Sequence, residues 1–352
     1  MTDDSRRIGR LDQHTAASVR GSQVIGSVSR AIEELLHNAV DGCAKSCIIS
    51  VGTSEITVCD DGIGIDPDAM RFFIGTEYCS NNGVDTGRKK GESLRSIASL
   101  CVEMKIETSC WWKSNDSNIR NSNASFGARK LVRSEKVFRG GSVVFFNQCH
   151  DGNNSQSAII PTVGKSKEMM SGTTITLRGL FHQHAVRRKS MEGGSNSLEL
   201  NRIESSLRLL ALSYPRVAFQ LKDQSTGKLV ASYGACSETS RTRSSLSAAL
   251  RFRLCEMYPN DFNDADSIEV SHDTDQQTGY NAFGVVSIVR DDANNVSMRN
   301  RELEVVCING RLATEAVRLA ESVLTQIRRW PGVNPSAFLG GVYVDIKLQQ
   351  TN

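Results

Sequence analysis

Apolar and polar positions between residues 19 and 48 recur at helical period, and the pattern then changes to two short runs, Ile48-Ile49-Ser50-Val51 and Glu55-Ile56-Thr57-Val58-Cys59, set around Gly52. A helix leading into two strands is predicted. Ser93–Ala98 is again helical, Cys101–Ser109 is strand-like, and Trp111–Asn123 is a Ser/Asn-rich stretch read as a long mobile loop. Strand patterns return at Gly141–Phe146 and Thr173–Arg178. Ser190–Leu198 has the composition of a linker and predicts a domain boundary. Beyond it, Arg202–Leu212, Ser244–Tyr258 and Ala313–Arg328 read as helices. Arg216–Lys222, Leu229–Tyr233, Phe283–Arg290, Glu304–Ile308 and Val342–Leu348 read as strands. The strands do not alternate regularly with crossover helices, which predicts α+β layers rather than a doubly wound parallel sheet.

Composition narrows the class. In 352 residues, 42 Lys/Arg against 39 Asp/Glu give a net charge of +3, too small for a strong global field. A content of 39% hydrophobic and 23% charged residues excludes disorder throughout, and the length predicts about two domains. The apolar runs fall far short of the roughly 20 residues that cross a bilayer, and Met1–Arg7 lacks a signal-peptide core, so an intracellular protein is expected. The ten cysteines are therefore expected to be thiols. Cys43 and Cys47 are the closest pair, and no second pair completes a tetrahedral zinc set.

The most informative segment is Ile32–Asp41. At about 100° per residue, Glu34, Asn38 and Asp41 fall within roughly 60° of one another, with Ile32, Leu35, Leu36, Ala39 and Val40 opposite. A carboxylate and an amide one turn apart suit the activation of a water and the ligation of Mg²⁺. A solvated polar face accounts for the same pattern. The strand at Ile56–Cys59 then runs into Asp60-Asp61-Gly62-Ile63-Gly64, where two glycines permit a turn that side chains would block and a carboxylate can accept from an exocyclic amine. Next, Gly87–Ser93 offers backbone N–H groups, a helix start and three cations to a polyphosphate, or is simply a basic surface loop.

The order of these pieces resembles that of the GHKL ATPases, the superfamily of gyrase B, the large heat-shock chaperone, sensor histidine kinases and MutL. EELLHNAVD on a helix, DDGIGI after a strand and a lid ending in KKGES carry the likeness. Gly172–Phe181 (GTTITLRGLF), followed by the basic start of a helix at Arg187-Arg188-Lys189, resembles the MutL branch. Leu207–Asp223 resembles the opening of the second MutL domain and Val306–Arg311 its VNGR strand. Gln23–Ser27 replaces the usual Ala-Gly-Glu-Val segment, as in divergent eukaryotic homologues of the branch linked to meiotic recombination.

The resemblance implies an α+β chain: a GHKL (Bergerat) α/β sandwich over 1–190, with the mobile loop near 111–125, and a smaller α+β domain over 198–352. The smaller domain resembles the ribosomal S5 domain 2-like fold and is expected to stop before its usual end. The resemblance also implies ATP and Mg²⁺ as cofactors. Glu34 matches the general base and Asn38 the Mg²⁺ ligand. Asp60 matches the carboxylate that reads the adenine amine, Gly62 and Gly64 the glycines beside base and sugar, and Thr173 the threonine that supports adenine. Gly91 and Glu92 match the segment that wraps the phosphates. Implied partners are another MutL homologue as a heterodimer, DNA bound weakly without sequence specificity, and MutS-type proteins. No membrane is implied, and the location would be the nucleus.

The chain departs from the pattern in places. Arg88-Lys89-Lys90-Gly91-Glu92-Ser93 stands for the usual Phe-Arg-Gly-Glu-Ala, Cys79-Ser80-Asn81 for Thr-Ser-Lys, and Asp61 for an Asn, adding negative charge near the site. Lys347, within the last strand, is not assigned the role of the family's γ-phosphate lysine. Asp12-Gln13-His14-Thr15 lacks the acidic partner of the endonuclease motif it resembles, since position 18 is Ser18. Arg187-Arg188-Lys189, Arg241 and Arg243 are candidate phosphate contacts. Two functions fit: an ATP-gated clamp that hydrolyses slowly, or an interaction subunit with a degenerate site. A kinase or topoisomerase fragment is disfavoured by GTTITLRGLF and the basic helix start.

Overall fold

The computed structural model describes residues 13–74, 92–112, 130–150, 171–192, 196–235 and 243–257, with the strands 267–272, 280–289, 304–308, 311–312 and 338–348. The expected helix at Ala313–Arg328, most of the Trp111–Asn123 stretch, Cys79–Asn81, Arg88–Gly91 and Arg241 lie outside them. Two compact units divide the chain, Met1–Ile203 with Leu221–Val230, and Glu204–Gln220 with Ala231–Asn352.

The helical pattern at 19–48 resolves into two helices, α1 (Gln13–Val24) and α2 (Val28–Asp41). Ser27 starts the second: its backbone is extended and its Oγ accepts from the Arg30 N–H at 3.1 Å. Helix α2 stops at Gly42, whose N–H returns to the Asn38 carbonyl at 2.9 Å. Strands β1 (Ser46–Val51) and β2 (Glu55–Asp60) follow, then a π-helical turn at Ala69–Phe73. Next come α3 (Glu92–Leu100), β3 (Glu103–Trp112), β4 (Lys130–Arg139), β5 (Ser142–His150), β6 (Gly172–Arg178) and α4 (Ala185–Glu192). Helix α5 (Asn196–Ser213) and the strands β7 (Ala218–Asp223) and β8 (Leu229–Tyr233) come after. The sheet runs β5-β4-β3-β6-β2-β1-β7-β8, and β7 and β8 meet at the hairpin Leu221–Val230, which groups with the first unit.

Antiparallel register decides which side chains share a face. Val51, Ile56, Leu177, Met104 and Phe138 form one transverse row, and Ile49, Val58, Ile175 and Ile106 the next. All nine are buried, and α2 and α3 lie against β2, β3 and β4. The opposite face carries ions instead: Arg178 bridges Glu55 (2.8 Å) and Glu103 (2.7 Å), and Lys105 bridges Glu107 and Glu135 (both 3.0 Å). The result is a sandwich with helices on one side.

In the second unit, α6 (Arg243–Met257) carries Arg253, which is fully buried. Its guanidinium donates to the Pro215 (3.2 Å) and Val217 (2.9 Å) carbonyls and pairs with Glu256 at 3.1 Å. Strands β9 (Ser267–His272), β10 (Tyr280–Val289), β11 (Glu304–Ile308), β12 (Arg311–Leu312) and β13 (Phe338–Leu348) form a sheet in the order β12-β11-β13-β10-β9. The β11–β13 pair is parallel and the rest antiparallel. Lys347 lies within β13, paired with Asn281.

Candidate functional site

The third transverse row of the first sheet is polar. Cys47, Asp60, Thr173, Thr108 and Ser134 stand on neighbouring strands in register, on the face the helices cover. Asp60 and Thr173, 113 positions apart in the chain, are thereby direct cross-strand partners. The Gly62 N–H donates to Asp60 Oδ1 at 2.9 Å, and the Thr173 N–H also donates to that carboxylate. Burial outweighs both donors and, with a smaller push from Asp61, lifts the Asp60 carboxyl from its ordinary 3.8 to about 6. A half-buried carboxylate that is poorly solvated and ends a strand is well placed to accept from an amine.

Two residues outside the sequence-predicted set assemble this corner. Thr108 Oγ1 accepts from the Ile65 N–H (2.8 Å), lies 3.2 Å from Thr173 Oγ1, and donates to the Gly172 carbonyl at 3.1 Å. It ties the glycine turn to β6. Asp61, the first residue after β2, turns to the start of β1, where its Oδ1 accepts from the Lys45 (2.7 Å) and Ser46 (2.8 Å) N–H groups. The charge expected to weigh on the site therefore also anchors the start of β1. Only the strand alternation hinted at Thr108, and nothing in the sequence singled out Ser134.

The turn needs its glycines. Gly64 has φ +76°, and a Cβ there would lie 2.1 Å from the Ser109 carbonyl oxygen; a Cβ on Gly62 would lie 2.5 Å from that of Gly42. The Ile63 N–H donates to that Gly42 oxygen at 2.9 Å, fastening the turn to the C-terminal end of α2.

Along α2, Asn38 is exposed one turn before that end, whereas Glu34, expected on the open face, is only 3% exposed. Its oxygens are held by Arg30 Nη2 (2.6 Å to Oε1) and by Ser93 Oγ (2.8 Å to Oε2) at the start of α3. Glu92 opens α3, and Gly91 lies outside the described residues. No cluster of three His, Cys, Asp or Glu side chains among the described residues forms a metal cage. The donor set instead fits a cation such as Mg²⁺ that takes one amide oxygen and draws its other ligands from phosphates and water.

A family model for histidine kinase-, DNA gyrase B- and HSP90-like ATPases matches residues 26–136, which contain α2, the glycine turn and β3. The MutL mismatch repair protein of Chlorobium phaeobacteroides is 27% identical over 61% of this chain and 30% of its own length. Human Mlh3, also a DNA mismatch repair protein, is 26% identical over 62% of this chain and 13% of its own. Clostridium acetobutylicum MutL is 25% identical over 98% and 48%. These matches make the chain similar to a MutL-type GHKL ATPase N-terminal region. It spans less than a third of the length of the first two of these relatives.

Solved structures agree with the GHKL fold. The ADP complex of the Aquifex aeolicus MutL ATPase domain superposes with a TM-score of 0.51 at 18% identity, covering 92% of this chain and 93% of that one. The Myxococcus xanthus gyrase B-subunit gives 0.52 at 10%, covering 96% and 85%.

The basic start of α4 is partly committed to its own fold. Arg187 lies 5.3 Å over the Phe181 ring and donates to the Ser22 carbonyl at 3.4 Å, while Arg188 donates to the His182 carbonyl at 3.0 Å. The side chains of Lys189 and Arg243 lie outside the described set. Among the described residues no helix is long and apolar enough to cross a membrane.

Proposed function

We propose that this chain is the ATP-binding and slowly hydrolysing N-terminal module of a MutL-family DNA mismatch repair protein, acting as a nucleotide-gated clamp on DNA. The observation that carries the reading is the polar row that contains Asp60, with Thr173 in register beside it and the glycine turn fastened to the helix that bears Glu34 and Asn38. In this reading Asp60 accepts from the adenine amine, and Thr173 supports the base. Gly62 and Gly64 leave room for base and sugar, and Gly91 and Glu92 give backbone donors to the phosphates. Glu34 orients and deprotonates the attacking water. Asn38 would hold Mg²⁺, which on binding neutralises phosphate charge. The chain's partners would be a second MutL homologue, DNA through its backbone phosphates, and MutS-type proteins, in the nucleus.

Titration with ATP in the presence and absence of Mg²⁺, followed by phosphate release for wild type and Glu34→Ala, tests the reading. Mg²⁺-dependent binding with turnover lost in Glu34→Ala is expected. Protease sensitivity unaltered by a non-hydrolysable ATP analogue would instead favour an interaction subunit with a degenerate site, the alternative raised by the changed lid sequence at Arg88–Ser93.

A further inference from the structure

We propose that Ser93 and Arg30 are positioning residues that fix the plane of the Glu34 carboxylate, and that hydrolysis depends on them more than nucleotide binding does. This rests on the reading of Glu34 as the base. The terminal torsion of a glutamate is broad and roughly two-fold, so a carboxylate left to itself sweeps a wide arc. Here each oxygen has its own donor from a different helix: Arg30 on the first turn of α2 reaches Oε1 at 2.6 Å, and Ser93 on the first turn of α3 reaches Oε2 at 2.8 Å. Two donors on two oxygens define a plane, where one donor defines only an axis.

The arginine donor is itself held. Arg30 bridges to Glu33 Oε2 at 2.9 Å through its other terminal nitrogen, and its backbone N–H is tied to the Ser27 cap. The Glu34 side chain is 4% exposed, so water screens the pair weakly and the charge-assisted bond is strong. An ionised carboxylate offers about four acceptor sites. Ser93 also follows directly on Gly91 and Glu92, so its hydroxyl ties the orientation of the base to the start of α3.

The test compares wild type, Glu34→Ala, Ser93→Ala, Ser93→Thr and Arg30→Met for the affinity of a non-hydrolysable ATP analogue with Mg²⁺ and for kcat of phosphate release. Ser93→Ala is expected to lower kcat about fivefold to tenfold with affinity changed less than twofold, a loss of about 1 kcal/mol of transition-state stabilisation. Ser93→Thr, which keeps the hydroxyl, restores at least half of it. Turnover in Ser93→Ala equal to wild type, while Glu34→Ala is dead, overturns the proposal and leaves the base assignment standing. A second measurement does not need turnover: carbon NMR titration of the Glu34 carboxyl, assigned by its disappearance in Glu34→Ala. Loss of a donor to the charged form moves that titration to higher pH in Ser93→Ala and further in Arg30→Met. An unmoved titration overturns the proposal even if wild type hydrolyses nothing, in which case the base assignment falls separately.

Discussion

Replacing Asp60 with asparagine should make the free protein more stable and the nucleotide complex weaker. Burial lifts the Asp60 carboxyl from 3.8 to about 6, and at about 1.4 kcal/mol per pH unit the charged form costs the fold about 3 kcal/mol at neutral pH. Asparagine removes that cost and keeps one oxygen for the Gly62 N–H. Losing the second acceptor takes back about 1 kcal/mol, so a net gain of about 1–2 kcal/mol is expected at pH 8. At about 2–4 °C per kcal/mol for a unit of this size, the melting temperature rises by a few degrees. The sign with pH follows from proton counting. Between about pH 4 and 6 the folded state binds the Asp60 proton and the unfolded state releases it, so wild type loses stability as pH rises through this window and the variant does not. The gap between them should therefore be full above pH 6 and shrink toward pH 4.5. Urea denaturation of both proteins at pH 5 and pH 8 measures it. An asparagine variant no more stable at pH 8, or a gap equal at the two pH values, would refute the idea of a poorly solvated charge. With nucleotide at 100-fold its Kd, wild type should gain about 2.7 kcal/mol and the variant far less, since the amide NH₂ that replaces one oxygen donates and can no longer accept from an amine.

Three further perturbations read other parts of the corner. Gly64→Ala would set a Cβ 2.1 Å from the Ser109 carbonyl in a left-handed backbone, and should cost at least about 3 kcal/mol in urea denaturation. Thr108→Val keeps the shape and removes the hydroxyl, leaving the Ile65 N–H without this acceptor; a loss of about 1–3 kcal/mol is expected, with weaker nucleotide affinity by calorimetry. Lys136→Met strips an ammonium from the Met70 (2.7 Å), Arg71 (3.3 Å) and Ile74 (2.7 Å) carbonyls, and should cost about 1–3 kcal/mol and speed amide exchange at Met70 and Ile74.

Much of the first unit was legible because its patterns were simple. The Ile48–Val51 and Glu55–Cys59 strands alternate cleanly around Gly52, and β1 and β2 lie within a residue or two of them. Strand β4 has no clear apolar alternation because its inward positions are Val132, Ser134, Lys136 and Phe138, two of them polar. An alternation that buries a lysine reads as a loop, since the three carbonyls that satisfy its ammonium come from residues 70–74. The break between α1 and α2 was hidden because apolar periodicity carries across Ile25 and Ser27 caps without an acidic residue three places on. Asp60 and Thr173 were individually legible as motif residues. Their pairing is a property of sheet register, which depends on β2 and β6 coming together from distant parts of the chain. Helical period assigns Glu34 its face but not its burial, because the residue that covers its second oxygen is 59 positions away.

Asp60 and Glu34 differ in what they still need. Asp60 is poorly solvated, carries two backbone donors and remains costly to ionise, so a ligand that brings one more donor gains from relieving that cost. Glu34 already has a guanidinium and a hydroxyl on its two oxygens, so a ligand has little to gain there by forming new bonds to it. Binding energy is thus concentrated at the strand end and geometric order at the helix. On the proposed reading, changes at Asp60 fall on nucleotide affinity and changes around Glu34 fall on turnover. The two effects should be nearly additive when combined, because the carboxylates share none of the partners described for them. A double variant, Asp60→Asn with Ser93→Ala, whose combined loss in kcat/KM differs from the sum of the single losses by more than about 0.5 kcal/mol would show instead that the strand end and the helix act as one unit.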